Sequence, residues 1–103
     1  MPKTKHWYRI IFQATKILTS ERVNTISLKL PDFMDKIGIS EYKGPVFHNN
    51  EDDRTVITMI GNITAINLLE VVNQLPDFID SLGVTIYGSP IFVPDEKPID
   101  TEE

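Results

Sequence analysis

The sequence predicts an α+β fold: a duplicated βαβ unit arranged as a ferredoxin-like sandwich, with a four-stranded antiparallel sheet and two helices on one face. Three observations predict it. First, the stretch from Leu30 to Phe47 (LPDFMDKIGISEYKGPVF) returns 45 residues later, from Leu75 to Phe92 (LPDFIDSLGVTIYGSPIF), with nine of 18 positions identical. Second, each copy reads as strand, helix, strand, which gives βαβ-βαβ and, most economically, the spatial strand order 4-1-3-2. Third, Pro45 and Pro90 fall in the second and fourth strands, the edges of that order. Proline cannot donate to a central ladder, so edges are where it is tolerated, and both edges are blunted alike.

Trp7 to Thr15 is aromatic and β-branched and reads as the first strand. Thr19 or Ser20 can cap a helix. Residues 24–30 alternate like a strand, yet Val23, Ile26, Leu30, Phe33, Met34 and Ile37 form a helical stripe. The second copy repeats that stripe at Leu68, Val71, Leu75, Phe78, Ile79 and Leu82 without the alternation. Helix is therefore predicted in both copies. Pro31 and Pro76 lie inside these helices, so a kink or a break into two pieces is expected. The recurring Asp32, Asp35, Asp77 and Asp80 would then suit the positive end of the second piece. Gly38 and Gly83 stop the helices. Ile39 to Phe47 is the second strand, residues 48–53 a polar turn, Arg54 to Ile60 the third strand. Asn62 or Thr64 caps the second helix, and Val84 to Val93 is the fourth strand.

The 103 residues make one domain, long enough for a single core. Residues 1–93 hold it, with repeat 1 at about 7–47 and repeat 2 at about 52–92. Residues 94–103, rich in acids and proline, read as a disordered tail. The net charge is −5. Residues 1–48 carry eight basic and four acidic groups, whereas residues 49–93 carry one basic group, Arg54, and six acidic ones. Copies of opposite sign imply a polarised molecule, whose field steers partners.

Several chemistries lack their residues. There is no cysteine, hence no disulfide or thiolate metal site. No apolar run approaches the roughly 20 residues of a bilayer span, and Ile10–Phe12 is too short for a signal-peptide core. A cytoplasmic protein with no membrane partner is the expectation. His6 and His48 are expected at opposite ends of the sheet, too far apart to share a metal. Glu51-Asp52-Asp53 lacks the glycine and spaced ligands of a calcium loop. No metal and no cofactor are therefore expected. Neither strand-to-helix junction holds a Gly-rich phosphate cradle, and no Ser-His or Gly-x-Ser-x-Gly pattern offers a nucleophile. Asn62-Ile63-Thr64 matches a glycosylation sequon but reads as a helix cap.

If Met1 is removed, Pro2 becomes an N-terminal secondary amine. In that residue and in the repeat plan the chain resembles the tautomerases, where such a proline is the general base. It departs from them because Lys3 to His6 separate Pro2 from the first strand.

The sheet face away from the helices is the more informative feature. If Tyr8, Ile10 and Phe12 face the helices, then Trp7, Arg9, Ile11 and Gln13 face out. By the repeat, Arg54, Val56, Thr58 and Ile60 do so too, and on the edges Ser40, Tyr42, Thr85 and Tyr87. The interaction face is expected at Trp7, Arg9, Ile11, Tyr42, Arg54, Val56, Ile60 and Tyr87. So large an apolar patch is seldom left unused, and Tyr, Trp and Arg are enriched at binding hot spots. An open sheet with aromatics resembles the RNA-recognition domain, which implies bases stacked on the central strands. Residues 55–60 carry no aromatic and no basic stripe, so no nucleic-acid partner is expected.

The leading expectation is a non-enzymatic interaction or regulatory module, of the adaptor or inhibitor kind that includes viral accessory proteins. It would act on a protein target and self-associate through the open face, as a dimer or larger closed oligomer. The second is a sensing domain with a small-molecule ligand at the sheet edge or dimer interface, walled by the twin Tyr-x-x-Pro loops (Tyr42 to Pro45, Tyr87 to Pro90). The third is a tautomerase-like enzyme using Pro2.

Overall fold

The structure, a computed structural model, describes residues 4–95. Six elements follow in order: β1 (His6–Ala14), α1 (Ser20–Lys36), β2 (Tyr42–Asn49), β3 (Thr55–Ile63), α2 (Ala65–Ser81) and β4 (Ile86–Pro94). The strands form one antiparallel sheet in the order β2-β3-β1-β4, which is 4-1-3-2 read from the other edge. Pro45 and Pro90 therefore lie on edge strands. Ile10, Phe12 and Ala14 of β1 and Ile57, Met59 and Ile63 of β3 pack beneath Ile26, Leu30, Phe33 and Met34 of α1 and Val71, Leu75 and Ile79 of α2. Alternation along the central strands sends every second side chain into this core. Between the helices, the equivalent rings of Phe33 and Phe78 stack with centroids 4.7 Å apart.

The helices match residue for residue across the 45-residue shift. Thr19 and Thr64 are the N-caps, accepting from the backbone of Arg22 and Asn67. At the other ends Gly38 and Gly83 adopt φ of +89° and +86°. The Gly38 and Ile39 amides donate back to Asp35 and Met34, and those of Gly83 and Val84 to Asp80 and Ile79. This double bond is the Schellman arrangement, which consumes carbonyls the helix would leave unpaired. The helices also close on each other. Arg22 Nη1 donates to the carbonyl of Leu82 and Asn67 Nδ2 to that of Ile37, each at 3.1 Å.

Pro31 and Pro76 do not break the helices into pieces; each helix is one 17-residue element. The bond each proline removes would have reached Ser27 or Val72, and both residues lie at least partly in solvent. The four recurring aspartates consequently sit toward helix C-termini, where the dipole does not favour them. Exposure solvates them instead.

Element ends differ modestly from the sequence reading. The second strand starts at Tyr42 rather than Ile39, and the third runs on to Ile63. The fourth takes in Pro94, paired with Tyr8, and the Asp95 amide donates to Trp7 at 2.8 Å. Pro94, the first residue assigned to the tail, thus belongs to the sheet, and Asp95, the second, is tied to its end. The remainder of the expected tail, residues 96–103, lies outside the described residues, as does Pro2. The copies also interleave: β2 and β1 come from the first, β3 and β4 from the second. The charge contrast between sequence halves therefore does not become a contrast between two sides of the sheet.

Candidate interaction face

The strand registers build the open face in rows. Lys43, Ile60, Arg9 and Val93 make one row across β2-β3-β1-β4, followed by Val46, Thr58, Ile11 and Ile91, then His48, Val56, Gln13 and Tyr87. Asn62 and Trp7 precede them. The middle of the face is apolar and wet. Val46 is 63% exposed, Ile91 56% and Val93 41%, with Ile11 and Ile60 partly buried between them.

Each end of this zone carries a polar arrangement. At one end Arg9 pairs with Asp95 at 3.3 Å, beside Trp7. At the other the Arg54 guanidinium lies 3.7 Å over the Tyr87 ring, and Asn50 Nδ2 donates to Gln13 Oε1. Asn50 holds that turn itself: its Oδ1 accepts from the Asp52 and Arg54 amides, and Asp53 takes the left-handed conformation at φ 59°. A cation over a ring face is held by the ring's quadrupole, so Arg54 fixes Tyr87 against the sheet. Asp52 adds an ion pair to Arg54 at 3.4 Å.

Six of the eight expected residues, Trp7, Arg9, Ile11, Arg54, Ile60 and Tyr87, lie on this face and are exposed at least in part. The other two differ. Val56 points to the open face but is only 8% exposed, because it lies in the row flanked by His48 and Gln13 and next to the Arg54–Tyr87 stack. Tyr42 points the other way. It pairs opposite Gly61, and its hydroxyl donates to Asp35 Oδ1 at 3.1 Å and lies 3.3 Å from the Pro31 carbonyl. Partial burial, then the Asp35 hydrogen bond and the charges of Asp35 and Asp32, raise its pKa above the ordinary tyrosine value.

The reason is a difference in bulge size. Between Lys43 and Val46, β2 spends three steps where β3 spends two; between Tyr87 and Ile91, β4 spends four where β1 spends two. Side chains alternate with period two, so one bulge residue more or less turns a side chain to the opposite face. Gly44 makes the tighter bulge possible. It takes φ +103°, and a Cβ there would meet the Thr58 carbonyl oxygen at 3.0 Å. The twin Tyr-x-x-Pro segments therefore do not form matching walls.

Val46, Ile91 and Val93 were missed by counting outward from Ile39 and Val84 across the bulges. Counting from the inward-facing Phe47 and Phe92 instead places all three on the open face. His6 sits opposite Ile63 and His48 opposite Val56, at opposite ends of the sheet as expected. Among the described residues no cluster of three or more His, Asp or Glu could hold a metal ion, and no helix is long and apolar enough to cross a membrane. No family model, no curated protein and no solved structure matches the chain.

Proposed function

We propose that this chain is a non-enzymatic interaction module that pairs with a second copy through its open sheet face. The observation that carries the reading is the apolar band of Val46, Ile11, Ile91, Ile60 and Val93, which has no covering layer in the described chain. Each fully exposed member forfeits about 1.5–3 kcal/mol of available burial. Four strands about 4.8 Å apart and eight residues long project a face of about 500 Å². Side-chain relief adds to this, toward the roughly 800 Å² per partner of a standard interface. A twofold pairing is self-complementary, so a band lying across the middle of the face meets itself. Arg9–Asp95 at one end and Arg54–Tyr87 at the other then form a polar rim.

Val46→Glu with Ile91→Glu tests this. Both side chains are exposed on edge strands, so carboxylates there enter the interface without entering the core. Sedimentation equilibrium should give a dimer for the unaltered chain and a folded monomer for the double variant. A double variant that keeps the dimer mass would place the interface elsewhere.

A further inference from the structure

The duplication supplies a control for every exposed position, and one surface fails that control. On α2, Ile66, Leu69 and Val72 are 54%, 60% and 37% exposed. Their equivalents on α1, 45 residues earlier, are Glu21, Asn24 and Ser27. Both helices pack on the same sheet face at matching positions, so packing within the chain does not call for apolar side chains at these three sites. Steps of three place them along one side of the helix. Asn67, Gln74 and Phe78 face α1, so that side is the flank turned away from it. There the stripe borders a largely apolar groove of about 450 Å³ formed by Leu68 with Tyr8 and Ile63, with His6 at its rim.

Charge selects the occupant. From Thr55 to Asp95 the chain has four acidic groups and no lysine or arginine. α2 itself carries Glu70, Asp77 and Asp80. Arg22 reaches it at the Leu82 carbonyl, and Lys36 lies across the interhelix groove with Asp77. A second copy docked through α2 would set these acids against their own duplicates, and an anionic bilayer would be repelled. We infer that the outer flank of α2 is a docking surface for a partner protein, in the form of an amphipathic helix with an apolar face and basic flanks. Such helices seat apolar side chains at three- and four-residue steps in a groove of this kind. Asp77 lines the interhelix groove, and a basic flank meets Asp80 and Glu70, which lies one turn on from Ile66 and accepts from Asn67 Nδ2. The surface lies on the helix layer, opposite the sheet face, so it stays open whether or not sheet faces pair.

The test titrates a synthetic helical peptide, leucines on one face and lysines beside them, into the isotopically labelled full-length chain. Amide shifts should saturate and map to residues 63–76. Affinity should fall with added salt, and a glutamate-flanked peptide should leave the spectrum unchanged. Replacing Ile66→Glu, Leu69→Asn and Val72→Ser, the residues α1 carries, should weaken binding about tenfold or more while leaving sedimentation unchanged. Leu69→Asn alone serves if the triple variant folds poorly. Shifts that map to the open sheet face, equal binding of the glutamate-flanked peptide, binding of phosphatidylserine vesicles, or loss of a dimer in the α2 variants would each overturn the assignment. The last of these would make α2 the self-interface, whereas failure of the open-face reading alone would leave the peptide result unaffected.

Discussion

Arg22 in the first copy and Asn67 in the second are different residues at equivalent positions, and both close the opposite helix by donating to its C-cap carbonyl. Tyr42 and Tyr87 are identical residues at equivalent positions and lie on opposite faces of the sheet. Function of position survived divergence in the helices, where caps and packing over-determine the geometry. It did not survive in the edge strands, where the length of a bulge decides which face a side chain meets. The comparison teaches where a repeat can be trusted. Helix ends, core positions and the Schellman turns transfer between copies; edge-strand orientation does not.

The largest effect should come from the stacked pair. Phe33 is 4% exposed and its equivalent Phe78 is only partly buried. Phe33→Ala should cost about 3–5 kcal/mol in a denaturant melt, and Phe78→Ala should cost less. Equal losses would mean the two sites are closer in environment than the geometry shows. Next come the caps. Thr64 is buried and shares a capping box with Asn67, whereas Thr19 is exposed and lacks that reciprocal bond. Thr64→Ala should lose about 1–2 kcal/mol and Thr19→Ala about 0.5–1 kcal/mol, read from the same melts.

Smaller again is the tyrosine pair, and at Tyr42 stability depends on pH. The folded chain holds the Tyr42 proton more tightly than the unfolded chain does. Its contribution is therefore complete below the unfolded value of about 10 and is lost as pH rises through the raised folded value. Tyr42→Phe should lower stability at neutral pH by about 1 kcal/mol and flatten the alkaline limb of the stability profile. Tyr87→Phe, which keeps the ring under Arg54, should leave neutral-pH stability unchanged.

The fold was legible because the repeat overrode local ambiguity. Residues 24–30 alternate like a strand, and only the second copy's helical stripe identifies them as helix. The βαβ-βαβ order then implied the strand order, and the edge prolines agreed with it. The continuous helices at Pro31 and Pro76 were not legible, since sequence does not show that Ser27 and Val72 reach solvent. Nor was the side on which Tyr42 falls, because bulge length depends on Gly44 closing against β3. Val56 looked like an exposed contact from its alternation, but its cover comes from Gln13 and from an Arg54–Tyr87 stack that joins β3 to β4 across β1.

Trp7 is the chain's single tryptophan, and it sits on the open face at the Arg9–Asp95 end. Its fluorescence therefore reports on the surface assigned to pairing. Emission and acrylamide quenching should be followed from low to high micromolar concentration alongside sedimentation mass. Pairing through the open face predicts a blue shift and loss of quenching in step with the doubling of mass, both abolished by Val46→Glu with Ile91→Glu. A chain that stays monomeric with unchanged Trp7 emission at high micromolar concentration would contradict it.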